Sequence, residues 1–115
     1  MVTAAAPVML PVMSTTPHAR HALPARAACA LRAARVERGL SLRETARRAG
    51  IGHGFLHAIE AGVKAPGRVR ADTLLAVLDP PGWLATEVRD AAERVERGRA
   101  ERAAVRELRR QGVRA

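Results

Sequence analysis

The stretch SLRETARRAGIGHGFLHAIEAG, residues 41–62, reads as two short helices joined by a tight turn. Ser41 followed by Glu44 is a capping box, a pattern that satisfies N–H groups left open at the start of a helix. The helix it opens runs over 42–49 and turns Leu42, Thr45, Ala46 and Ala49 to one side. Gly50 stops it, because the chain must there take a left-handed turn that glycine adopts without steric cost. Ile51 is apolar in the turn, and Gly52 is a weaker cap for a second helix over 53–61. That helix buries Phe55, Leu56 and Ile59, and Gly62 closes it.

Before this stretch, Pro24 suits the first turn of a helix over 25–38, which Gly39 ends. Ala28, Leu31 and Ala34 or Arg35 share its inner face. Residues 63–70 hold Pro66 and Gly67 and read as a loop. A short helix over 72–78 begins on Asp72 and turns Leu74, Leu75 and Leu78 inward. Asp79-Pro80-Pro81-Gly82 is a break. Residues 83–111 are helical in composition, with Leu84, Val88, Ala91, Val95, Val105 and Leu108 in a thin stripe. Gly98 interrupts that stripe and leaves open one kinked helix or two. Trp83 is expected to anchor it on the core. Residues 1–23 lack helical period and read as a disordered tail, within which Met9 and Met13 are alternative starts. The division is thus a tail over 1–23, a domain over 24–80 and a helical extension over 81–115.

Composition agrees with an all-α class. The hydrophobic fraction is 48% of 115 residues, yet 25 of those residues are Ala, and there is one Phe, one Trp and no Tyr. Pleated sheets want β-branched and aromatic side chains, and too few are present. The net charge is +9, with 20 basic residues of which Lys64 is the only lysine. Such a balance favours a polyanionic partner, nucleic acid or an anionic membrane surface. Cys29 is alone, so no disulfide framework exists, which suits a reducing cytoplasm. No apolar run approaches the roughly 18 residues that span a bilayer. Ser14 and Ser41 are the only serines. No phosphate-cradling loop, zinc motif or paired-carboxylate arrangement accompanies them, so an enzyme is not expected.

Ala46, small where two helices cross, Gly50 in the turn, and the apolar set Ile51, Leu56 and Ile59 form a helix-turn-helix layout. Residues 31–78 further resemble the Cro and lambdoid-repressor type of helix-turn-helix domain, also called the xenobiotic-response-element type. The words that carry the likeness are Leu31-Arg32-x-x-Arg35, Gly39-Leu40-Ser41, Glu44-x-Ala46-x-x-x-Gly50-Ile51 and Ile59-Glu60-x-Gly62-x-x-x-Pro66. The resemblance implies a compact bundle of four or five helices that binds double-stranded DNA, usually as a homodimer. It implies a structural ion pair between Arg35 and Glu60. With the second helix of the motif in the major groove, it places His53, Gly54, His57 and Ala58 against bases. Arg43, Lys64 and Arg68 would meet phosphates, with Arg70 a weaker candidate.

This chain departs from the family pattern in its reading face. It has no Asn, and its one Gln is Gln111, so the usual bidentate readers of adenine are missing. Only His53 and His57 offer polar groups to bases, along with any Arg that swings in. Modest base discrimination over a large phosphate term is the expectation, with log K falling at a slope of roughly −5 against log salt for about six phosphates met. His53 and His57 also have metal-ligand spacing, but no further ligand accompanies them, and groove contact is preferred. The alternation of Arg and Glu along 81–115 reads as a solvated helix rather than a second DNA surface. The apolar stripe of that helix packs on the domain's own core, or forms a dimer seam. The reading is a cytoplasmic DNA-binding transcriptional regulator, a repressor, that needs no cofactor. The alternative is an antitoxin-like or adaptor module that uses the same bundle to hold a protein partner. An Arg-rich binder of RNA or membrane lacks the aromatic stacking residues such binding uses.

Overall fold

The computed structural model describes residues 22–112. The tail reading therefore lies, except for Ala22 and Leu23, outside the described residues. Five helices follow in order: α1 (Ala25–Glu37), α2 (Leu42–Ala49), α3 (His53–Glu60), α4 (Arg68–Leu78) and α5 (Gly82–Arg110). Among the described residues there is no strand.

The α2 N-terminus is capped from its own sequence. Ser41 Oγ accepts the Glu44 N–H at 3.0 Å. The reciprocal half of the capping box is not made, because the Glu44 carboxylate is taken by Arg47 and Arg48, each at 2.6 Å. Both guanidinium groups, Arg47 first, hold that carboxyl below its ordinary value. Gly50 takes φ of 73°, and the Ile51 N–H donates to the Ala46 carbonyl at 3.0 Å, which closes α2 and aims α3. Thr45 is fully buried and donates to the Ser41 carbonyl at 2.9 Å, so its hydroxyl enters the core satisfied.

Helix α4 begins a turn earlier than its sequence suggests. The Asp72 start is corrected to Arg68, and Asp72 lies inside the helix. Its N-cap, Gly67, has no side chain to offer, but Glu96 of α5 accepts the Arg68 N–H at 2.8 Å. A carboxylate from 28 residues away thus does the capping. Gly67 also marks a close approach, since a Cβ there would stand 2.9 Å from Glu96 Oε2 and 2.7 Å from Arg99 Nη1.

Helix α5 is one helix of 29 residues, through Gly98. Its first half completes the core: Leu84, Val88, Ala91 and Ala92 join Ala28 and Leu31 of α1, Ala46 and Ala49 of α2, Leu56 and Ile59 of α3 and Leu74, Leu75 and Leu78 of α4. Leu23 belongs to the same cluster and is 2% exposed. Trp83 is not the expected anchor. It is 45% exposed, with the Arg26 guanidinium 5.0 Å from its ring centre. Leu84 takes the buried place. Val105 is half-buried and Leu108 exposed, so the stripe packs only in its first half.

Candidate nucleic-acid interface

Helix α3 is short, and an isolated helix of eight residues is unstable in water. Two fixings hold it. Leu56 and Ile59 are fully buried beneath it. At its end, Glu60 receives Arg35 through two hydrogen bonds, Nε to Oε2 at 2.7 Å and Nη2 to Oε1 at 3.1 Å. The third arm of the same guanidinium donates to the Leu40 carbonyl at 2.9 Å. One side chain thus joins the end of α1, the α1–α2 turn and the end of α3. The side chains of Arg35 and Glu60 are only 11% and 5% exposed. Such a fork-on-carboxylate contact fixes orientation as well as distance.

The opposite side of α3 is open. His53, Gly54 and His57 are exposed and Ala58 is half-buried. A Cβ at Gly54 would meet nothing within 4 Å, so the fold itself does not require glycine there. Phe55 is half-buried rather than core, and two cations lie over its ring, Lys64 at 5.9 Å and Arg70 at 5.4 Å from the centre. The ring therefore gathers the loop after α3 and the first turn of α4 beside the exposed face. Arg43 is exposed at the start of α2 and makes no ion pair among the described residues.

The sequence-predicted site residues do not all share one situation. His53, Gly54, His57 and Ala58 lie together on α3, and Lys64 flanks them. Arg68 is placed otherwise. Its guanidinium reaches Glu93 of α5 with Nε at 3.0 Å and Nη2 at 2.9 Å. This contact raises Arg68 and lowers Glu93 from their ordinary values, hydrogen bonding being the larger cause and charge attraction also contributing. Arg70, the weaker candidate, takes the nearer position through its stacking on Phe55, a contact that no sequence spacing announces. Among the described residues no group of three or more His, Cys, Asp or Glu could hold a metal ion.

A short rod held on a buried core, with its outer face open and basic residues at its flanks, defines a helix-turn-helix module. The helix-turn-helix domain family model matches residues 29–95, more than half of the chain, and the chain belongs to that family. The motif is one of DNA-binding regulators in general. No curated protein and no solved structure matches the chain. Among the described residues no helix is long and apolar enough to cross a membrane.

Proposed function

We propose that this protein is a cytoplasmic transcriptional repressor of the Cro-like type that seats α3 in the major groove of duplex DNA. The observation that carries the reading is the outward face of α3, with His53, Gly54 and His57 exposed on a rod locked by the buried Arg35–Glu60 pair. In this reading His53 and His57 address base edges and Ala58 makes apolar contact. Gly54 leaves room for close approach. Arg43 and Lys64 meet phosphates, with Arg70 beside them. Arg68 contributes less, because Glu93 already neutralises it.

An eight-residue helix is about 12 Å long, a fraction of the roughly 34 Å helical turn of the duplex. One copy therefore covers too little sequence to select a site well. A homodimer that presents two such helices about 34 Å apart doubles the reading. Occupation of a site excludes other proteins from it, and that supports repression.

Selection of binding sites from random duplexes tests the reading. The wild-type chain should enrich a two-fold-related site, and the pair His53→Ala and His57→Ala should relax base preference with little change in the salt slope. Arg43→Ala with Lys64→Ala should weaken all sequences alike and reduce the slope by about 2. A wild-type chain that fails to hold duplex DNA at low salt overturns the proposal, and so does a double-histidine variant with unaltered preference.

A further inference from the structure

Helix α5 runs past the domain it helps to build. Its inner face is apolar as far as the core extends: Leu84, Val88, Ala91 and Ala92 are buried, Val95 half-buried, and Gly98 buried. At about 100° per residue, the same face continues as Arg99, Arg102, Arg106, Arg109 and Arg110. The helix also changes sign along its length. Residues 82–96 carry two arginines and four acids, whereas residues 97–110 carry six arginines and two glutamates. Arg99 and Arg110 have partners on their own helix, Glu96 and Glu107. Arg102, Arg106 and Arg109 make no ion pair among the described residues, and together with Val105 and the single acid Glu101 they border one hollow.

The place where this basic face begins is set by contacts. At Glu96 and Arg99, α5 lies against Gly67 and the Arg68 N–H, at the end of the loop that carries Lys64. Beyond that point the face that elsewhere meets the core has, among the described residues, no core opposite it. The overhang from Arg99 to Arg110 is about 17 Å long. A buried apolar stripe that turns into arginines in register is costly to dock against a second copy of itself, because like charges would meet. It complements a polyanion.

We infer that the outer half of α5 is a phosphate-contacting arm, with Arg102, Arg106 and Arg109 laid along the backbone of duplex DNA flanking the site that α3 reads. The inference rests on the DNA-binding reading above and deepens it. It makes the arm a source of affinity and salt dependence rather than of base choice.

The test uses the full chain and random-sequence duplex DNA over a salt series. The triple variant Arg102→Gln, Arg106→Gln and Arg109→Gln keeps helix-forming side chains in place. It should lower the magnitude of the log K against log salt slope by about 2.7, at roughly 0.9 per lost phosphate contact. The selected base preference should stay as in the wild type. A charge-matched variant off this row of arginines, Arg89→Gln, Arg94→Gln and Arg97→Gln, should leave the slope almost unchanged. If the wild-type chain binds duplex DNA and the first variant shows the wild-type slope, the arm is overturned while the α3 reading stands. Equal losses from both variants overturn it too, as does a dimer that the first variant splits, which would assign the stripe to a second copy. A wild-type chain that does not bind duplex DNA overturns the α3 reading and the arm with it.

Discussion

Two of the arginine–glutamate pairs that link helices among the described residues, Arg35–Glu60 and Arg68–Glu93, each span 25 residues of chain. Their geometry is nearly the same. Each guanidinium reaches both carboxylate oxygens, at 2.7 and 3.1 Å in the first pair and 3.0 and 2.9 Å in the second. Their surroundings are opposite. The side chains of the first are 11% and 5% exposed, those of the second 58% and 49%. Geometry alone therefore does not set what such a pair is worth. Water does, because a solvated partner loses little when its counter-charge is removed and a dry one loses much.

The largest expected effect is Glu60→Gln, which leaves a nearly buried guanidinium without its counter-charge. Urea unfolding should show a loss of roughly 3 kcal/mol, and the α3 face should lose DNA affinity along with it. The apolar double variant Arg35→Met with Glu60→Leu should recover much of that stability, since no orphaned charge remains. If Glu60→Gln costs no more than Glu93→Gln, burial is not what separates the pairs.

A middle effect belongs to Glu96, which neighbours the exposed pair but caps a helix. Glu96→Ala should cost about 1 kcal/mol in thermal or urea unfolding, the usual worth of an N-cap. Local hydrogen exchange should rise at the first turn of α4. An unchanged exchange rate there would mean that the Arg68 N–H finds another acceptor.

The smallest effect is Glu93→Gln, and it should depend on pH. Arg68 depresses the Glu93 carboxyl in the folded chain. A group depressed on folding contributes stability above its unfolded value, and that contribution fades as pH falls through the folded one. The melting difference between wild type and Glu93→Gln should thus be small near neutrality, shrink on acidification and vanish once the carboxyl is protonated. High salt should reduce it as well. A difference that grows with acid would show that Glu93 acts through something other than its pairing with Arg68.

The two pairs also differ in how far a sequence announces them. Arg35 and Glu60 sit at fixed places in a chain of motif words, and the likeness to a known family marks both. Arg68 and Glu93 carry no such mark. Read along the chain, Arg68 looks like a loop cation free to meet phosphate, and Glu93 like one member of an alternating helix face. The start of α4 is hidden for the same reason. Asp72 is a good local cap, and a reading confined to neighbours selects it, whereas the acceptor actually used, Glu96, arrives from another helix. Trp83 shows the converse. Its size suggests a core anchor, but the neighbouring Leu84 holds the inward position, and Arg26 covers the indole from outside.

The residues by themselves determined the elements that close on near neighbours. These are the Ser41 cap, the turn at Gly50, the small residue at Ala46 where α2 and α3 cross, and the apolar set at Leu56 and Ile59. Each depends on groups within a few positions, so spacing is enough to find it. Only the folded chain decided which charges are spent and which remain available. Arg68 is taken by α5, Arg70 is brought to Phe55, and Arg102, Arg106 and Arg109 have no core to face among the described residues. Those outcomes depend on how α4 and α5 lie together, and electrostatics through space is blind to distance along the chain.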